Sequence, residues 1–236
     1  MVYSFDSRVR YSEVDCNGRL SIPSLINYFQ DCSTFHSEDI GQGFRKIIKR
    51  GRVWILSSWH IEINSLPSIC QKITIKTFAT KFSGSQGHRN FVLVDQDDKC
   101  LAYANSIWVL MDINNGRPTK ITQADYEGYG GSPALNMEEV GRKIQRIEGT
   151  TTFPTFVVKR QHLDTNNHVN NSQYVQMALE VLPADIEIKR LRVEYKKAAI
   201  YQDVITPKIA RDSKRTLVEL CDDIGAPYTI IEVITQ

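Results

Sequence analysis

Between residues 21 and 40, apolar side chains recur at three- and four-residue intervals: Ile22, Leu25, Ile26, Phe29, Cys32 and Phe35. That spacing draws one apolar stripe along a helix, and Pro23 falls in its first turn, where a missing N–H is tolerated. A loop rich in Gly, Lys and Arg follows. The pattern then changes to long runs dense in Val, Ile, Thr, Trp and Tyr, at Arg52–Ile63, Lys72–Phe82, His88–Asp95 and Cys100–Asp112. Turn residues such as Ser83-Gly84 and Asp97-Asp98 separate them. Such runs predict strands, and long strands around one helix predict an antiparallel sheet of the α+β class.

From about Ile113 to Thr150 the chain is rich in Gly, Pro, Asn and Glu, as in Gly128-Tyr129-Gly130-Gly131-Ser132-Pro133. This segment predicts a linker, with a short helix near Met137–Lys143. Beyond it the order repeats: a strand over Phe153–Arg160, a helix over Asn171–Leu182, and strands over Lys189–Tyr201, Val204–Arg211, Thr216–Asp222 and Tyr228–Ile234. The repeat extends to single residues. Asp15, Asn17 and Arg19 precede the first helix as Asp164, Asn166 and His168 precede the second, at a constant offset of 149 (164 − 15, 166 − 17, 168 − 19). A duplicated unit is expected, with an N-terminal domain at 1–125, a linker at 126–150 and a C-terminal domain at 151–236.

The 236 residues carry a net charge of +2 and 42% hydrophobic residues, which fits a globular chain and implies no general attraction to nucleic acid or membrane. No apolar run approaches the roughly 18–20 residues of a membrane span. The opening residues Met1 to Arg8 have neither the basic start nor the apolar stretch of a signal peptide, and are too few for a transit peptide. Five scattered cysteines without CxxC spacing predict free thiols in a reducing compartment. The expectation is a cytoplasmic protein.

One segment concentrates chemistry. In Asp164-Thr165-Asn166-Asn167-His168 an acid, a carboxamide and an imidazole alternate just before a helix, and extended backbone there would turn all three to one side. The helix N-terminus adds backbone N–H donors and a partial positive charge, suited to polarising a carbonyl that becomes an oxyanion, while the acid and imidazole could activate water. The plain alternative is that Asp and Asn before a helix are capping and turn residues without function.

The same segment, extended to Val169-Asn170-Asn171, resembles the D-x-N-x-H-V-N-N signature of the acyl-acyl carrier protein thioesterases of bacteria and plant plastids. Tyr174 and Leu179-Glu180 continue the match. In the first half Tyr11 to Arg19 resembles the family's opening motif, Trp54 to Ile63 its strand after the first helix, and Ser106 to Met111 the strand closing its first hotdog. The resemblance implies a tandem (double) hotdog, each half an antiparallel sheet wrapped around a central helix. It implies catalytic roles for Asp164, Asn166 and His168, an inactive first copy where Arg19 replaces the histidine, and an acyl pocket shaped by the first half, with Trp54, Leu56, Trp59 and Ile61 as candidates. The partner implied is acyl carrier protein bearing a fatty acyl chain, met by a monomer or homodimer, with no cofactor and no metal.

One departure stands out. Many relatives carry a glutamate where this chain has Ala198, and plant relatives a cysteine where it has Ala199; Glu194 lies four residues back, roughly 13 Å along a strand. Direct attack by water is therefore favoured over a covalent acyl-enzyme. Two rivals stay open, an acyl-CoA thioesterase and a catalytically weakened acyl-binding protein. Two basic groups are candidates for docking the acidic carrier protein: Arg45 and Lys46 (with Lys49, Arg50 and Arg52), and Lys196 and Lys197 (with Lys189, Arg190 and Arg192). The alternative for each is an ordinary solvated surface. His36, His60, His88 and His162 lack metal-ligand spacing, and no phosphate-binding glycine loop is present.

Overall fold

In the computed structural model, which describes residues 2–235, strand β1 (Tyr3–Arg8) leads to helix α1 (Ile22–Asp39), the predicted apolar stripe. Leu25, Ile26, Phe29 and Cys32 are fully buried. The Ser21 hydroxyl caps the helix by accepting from the Ser24 N–H at 3.3 Å, as a serine at this position is suited to do. The segment expected to be a loop contains a second helix, α2 (Phe44–Lys49). Its first N–H, on Phe44, is met by the Glu38 carboxylate at 3.0 Å, and Ile47 is buried. One buried residue in six draws no periodic stripe, so the pattern did not reveal it.

Then come β2 (Arg52–Ile63), β3 (Lys72–Ser83), β4 (Gln86–Asp95), β5 (Cys100–Asp112), β6 (Arg117–Pro118) and a four-residue helix α3 (Gln123–Tyr126). The second part holds β7 (Thr151–Thr152), β8 (Phe156–Val157), α4 (Asn171–Leu179), β9 (Ile188–Tyr195), β10 (Val204–Arg211), β11 (Thr216–Cys221) and β12 (Pro227–Thr235).

The chain divides into two units, Met1–Ser57 with Ile63–Val140, and Ser58–Glu62 with Gly141–Gln236. In the first, β1, β3, β4 and β5 pair antiparallel in that order, with Phe5 opposite Ile75, Thr77 opposite Phe91 and Phe91 opposite Ala104. Helix α1 packs on β1 and β3. In the second, the Ser58–Glu62 stretch of β2 pairs with β9, followed by β12, β11 and β10, all antiparallel, with β7 and β8 both on β10. Tyr174, Val175, Met177 and Ala178 of α4 are buried, and the helix packs on β11 and β12. Each unit is thus one sheet wrapped on one long helix, as burial of an apolar stripe requires.

Three expected elements differ. No helix forms near Met137–Lys143. Gly141 interrupts it, and the backbone is held as a strap on the second unit's sheet: Arg192 Nη2 donates to the Gly141 carbonyl at 2.7 Å, and the Ile144 N–H to Glu194 Oε2 at 2.9 Å. Arg146 donates to both Glu219 oxygens, while Ile144 packs with Leu217 and Ile230. The strand expected over Phe153–Arg160 shrinks to Phe156–Val157, since Pro154 has no N–H for a ladder and Arg160–His162 forms a 3-10 turn. Finally, β9 stops at Tyr195 rather than Tyr201. There the N–H groups of both Lys196 and Lys197 turn to a single carbonyl, Tyr228 O, at 2.9 and 3.3 Å, which ends the regular ladder.

Candidate active site

The stretch from Leu163 to Val169 is a tight hairpin loop, not extended backbone. Leu163 and Val169 form an isolated bridge, the Asp164 N–H donates to the His168 carbonyl at 2.8 Å, and Asn167 turns the chain at φ 59°. Asparagine tolerates that left-handed conformation better than most residues. The carboxylate oxygen Asp164 Oδ1 holds the loop from inside, accepting the N–H groups of Asn166 at 2.8 Å and His168 at 3.2 Å. The extended backbone expected here is replaced by an aspartate-centred loop.

The same loop occurs in the first unit. Asp15 Oδ1 accepts from the N–H groups of Asn17 and Arg19, both at 2.9 Å, Asp15 N–H donates to the Arg19 carbonyl at 2.8 Å, and Gly18 turns the chain at φ 71°. Val14 bridges Leu20 as Leu163 bridges Val169. Even the preceding 3-10 turn is copied, closed by the Glu13 carboxylate on the Arg10 N–H and by His162 Nδ1 on the Lys159 N–H. The offset of 149 is therefore a repeat of hydrogen bonds as well as of letters.

The copies part at their side chains. Asn166 and His168 are exposed, and among the described residues neither side chain makes a hydrogen bond; Asp164 is half-buried. Helix α4 begins two residues on, capped by Asn170, whose side-chain oxygen accepts the Ser172 N–H at 2.9 Å, so this N-terminal donor is already used. Alongside the loop, the Val169 N–H donates to the Ala199 carbonyl at 2.9 Å, and the Ala199 N–H to Tyr174 Oη at 2.7 Å. These bonds fix the 198–200 stretch against the loop, with Ala198 exposed. Because β9 has already ended, Glu194 and Ala198 do not share a strand face. Glu194 is buried instead, bonded to Lys196 Nζ at 3.1 Å and to the strap.

The basic candidates separate by partner. Arg45 and Lys46 lie exposed on α2 and make no ion pair among the described residues. Lys196 is paired with Glu194, and Lys197 with Asp222 while also lying 4.4 Å from the centre of the Tyr228 ring. Arg50 and Arg52 both bind the buried carboxylate of Asp125.

A cavity of about 180 Å³ lies within the first unit. Of the four pocket candidates only Trp54 lines it; Leu56, Trp59 and Ile61 are buried in the core. Sequence reading missed Arg89, which also lines it. The signal was available, because Arg89 falls in phase with Gly87, Phe91 and Leu93, all inward-facing, and a charge at a core position of a strand is unusual. Beneath Arg89 lies His36, fully buried, stacked on Tyr3 at 5.1 Å, with Nε2 lacking any hydrogen-bond partner. Burial, then the nearby Arg89 charge, push its pKa down to about 4. A lowered histidine pKa means that the unfolded chain binds the extra proton first. Stability is therefore expected to fall as pH drops from about 6.5 towards 4. His36→Gln should shrink that loss relative to the parent in denaturation curves at pH 7 and pH 5, and an unchanged loss would remove His36 from the account.

Among the described residues no three His, Cys, Asp or Glu side chains are grouped as metal ligands, and no helix is long and apolar enough to cross a membrane. The fold is shared with solved structures. An acyl-ACP thioesterase from Bacteroides thetaiotaomicron superposes with a TM-score of 0.90 at 23% identity, covering 100% of this chain and 98% of that one. The 12:0-ACP thioesterase of Umbellularia californica gives 0.86 at 19%, covering 100% and 97%. Among curated proteins, the chloroplastic oleoyl-acyl carrier protein thioesterase of Coriandrum sativum is 24% identical over 235 residues, covering 89% of this chain and 64% of the relative. Oleoyl-acyl carrier protein thioesterase 2 of Arabidopsis thaliana is 26% identical over 218 residues, covering 84% and 59%. The chain thus spans about three-fifths of the length of these curated relatives. Residues 1–129 match the family model of the acyl-ACP thioesterase N-terminal domain and residues 146–233 that of the C-terminal domain, and with the fold in agreement the chain belongs to the acyl-ACP thioesterase family.

Proposed function

We propose that this chain hydrolyses fatty acyl-acyl carrier protein to free fatty acid and holo-carrier protein by direct attack of water, with Asp164, Asn166 and His168 as its catalytic residues. One observation carries the reading: a loop built twice around an aspartate holds an imidazole only in its second copy, with the His168 and Asn166 side chains exposed and not hydrogen bonded among the described residues. The Asn166 amide would donate to the thioester carbonyl as charge develops on its oxygen. His168 would take a proton from the attacking water, oriented by Asp164 Oδ2, which no backbone group among the described residues uses. As the new C–O bond forms and the C–S bond breaks, the thiolate leaves with that proton.

In this reading residues 1–125 shape the acyl pocket, 126–150 link, and 151–236 are catalytic. Carrier-protein docking falls to Arg45 and Lys46, which have no carboxylate partner among the described residues, and to Lys196 and Lys197, whose pairs with Glu194 and Asp222 would have to share them. The deciding assay measures thiol release from a chain-length panel of acyl-carrier proteins with matched acyl-CoAs. Faster turnover of the carrier-protein series supports the reading; faster turnover of the CoA series replaces the carrier with CoA. Ala198, exposed beside the loop, favours a second reading in which the protein binds acyl chains but hydrolyses them feebly. Ala198→Glu is expected to raise kcat by about tenfold, a modest part of what one general base supplies. An unchanged or lower rate would show that no missing base limits the reaction.

A further inference from the structure

The cavity of the first unit lies among α1, α2 and strands β2 to β5, with Phe44, Trp54, Phe82 and Trp108 as its large apolar walls. Most polar groups on its lining are satisfied within the protein. The Ser33 and Thr34 hydroxyls donate to the Gln30 carbonyl, Ser37 pairs with Tyr129 Oη at 2.9 Å, and Gln42 Nε2 donates to the Ala124 and Glu127 carbonyls. Arg89 differs. Only 7% of its surface is exposed, and it is the one lining residue that carries a charge at neutral pH.

Two contacts hold its guanidinium from one side: Nη1 meets His36 Nδ1 at 3.0 Å and Thr77 Oγ1 at 3.3 Å. Its central carbon sits 5.1 Å from the centre of the Tyr129 ring. Nε and Nη2 make no hydrogen bond among the described residues. No carboxylate pairs with it among the described residues either. Asp39 accepts from the Tyr3 hydroxyl, Glu38 from the Phe44 N–H, and Asp125 binds Arg50 and Arg52. His36 must accept at Nδ1 and is therefore neutral, so it contributes no charge of its own. Burial accordingly draws the Arg89 pKa below its ordinary value. A buried cation without a counter-charge is costly, and one fixed on the wall of an apolar cavity is a receptor for a single anion.

We infer that this cavity binds the carboxylate end of an aliphatic chain, the carboxylate forking onto the free N–H edge of Arg89 and the chain lying along Phe44, Trp54, Phe82 and Trp108. A planar fork of donors suits a carboxylate. One uncompensated charge balances one carboxylate, and aromatic walls suit an alkyl chain. Two sources share this chemistry: a free fatty acid entering head first, and the far carboxyl of an acyl chain that carries one at each end. The inference does not depend on hydrolysis by the second unit.

Trp54 and Trp108 are two of the chain's three tryptophans, so intrinsic fluorescence reports occupancy. The full chain is titrated at pH 7.5 with decanoate and with decanol, below their aggregation limits. The expected result is that decanoate binds at least tenfold more tightly. Arg89→Met should bring the two within twofold, while Arg89→Lys, which keeps the charge without the fork, retains part of the preference. Equal affinity of the two ligands for the unaltered chain overturns the inference, whatever the folding of the variants, and so does a carboxylate preference that survives in folded Arg89→Met. Kinetics then identify the source. Inhibition by decanoate without preference for a ten-carbon thioester bearing a terminal carboxyl assigns the site to free fatty acid; faster turnover of that thioester than of decanoyl thioester assigns it to the substrate chain. Absence of any thioester turnover would remove the hydrolase reading while leaving the binding result intact.

Discussion

Asp164→Asn is expected to leave the protein folded and to lower kcat/KM for acyl-carrier protein by about 10²–10⁴, the scale of a lost acid–base group. Asparagine keeps a side-chain oxygen that can accept the Asn166 and His168 N–H groups, so the loop survives and only the charge goes. Asp164→Ala removes the acceptor as well. It should add a stability loss of about 1–2 kcal/mol for two backbone donors returned to solvent. The first unit supplies the control. Asp15→Ala deletes the same two bonds in the same loop and should produce a similar stability loss with little change in rate. His168→Ala should match Asp164→Asn in rate and leave stability nearly unchanged, because its exposed ring makes no hydrogen bond among the described residues. Thiol-release kinetics and thermal melts on the four variants separate the roles. Should Asp164→Asn stay within twofold of the parent while Asp164→Ala and Asp15→Ala fall together in stability, the aspartate is a turn former in both halves and the proposed chemistry lies elsewhere.

How much of the fold the sequence discloses depends on how each feature is written in the chain. Helix α1 was legible because one face of it is buried along its length, and β3, β4 and β5 because runs dense in Val, Ile, Thr and aromatic residues are bounded by turn residues. The duplication was legible because the loops need an aspartate acceptor and a residue that tolerates positive φ at fixed positions, and both copies kept them. Other features leave no periodic trace. Helix α2 buries a single residue, and the strap of residues 141–147 is held by Arg192, Glu194 and Glu219, which lie far along the chain. The site was legible in composition but not in geometry. Asp164, Asn166 and His168 invited an extended reading, whereas Asp164 Oδ1 closes on backbone N–H groups two and four residues away. Such short-range competition between side chain and backbone is what separates aspartate and asparagine from true strand formers.

Asp125→Ala is expected to lower stability by about 3–5 kcal/mol, the scale of a buried ion pair broken on one side. The Asp125 side chain is wholly buried. Its Oδ1 accepts from Arg50 Nη2 at 2.7 Å, and its Oδ2 from Arg52 Nη1, from the Thr122 N–H at 2.7 Å and from Thr122 Oγ1 at 2.6 Å. One carboxylate thus ties the end of α2, the start of β2 and the first turn of α3. Removing it strands two guanidinium groups that are about three-quarters shielded from solvent, together with the N-terminal donor of α3. For a chain of this size the melting temperature should drop by roughly 6–20 °C. Asp125→Asn, which keeps acceptors without charge, should fall between that variant and the parent. The site effect follows from the same geometry: Phe44, Ile47 and Tyr129, which line the cavity, sit on or beside the elements that Asp125 joins. Decanoate affinity should therefore weaken in Asp125→Ala even well below its melting temperature. Arg50 and Arg52 are by the same token part of the fold rather than a free basic surface, so charge reversal at Arg50 should read as instability, while reversal at Arg45 or Lys46 leaves the melt within about 0.5 kcal/mol of the parent. A melt for Asp125→Ala within 2 °C of the parent would show the two arginines to be adequately solvated on their own, and would return both to the candidate docking face.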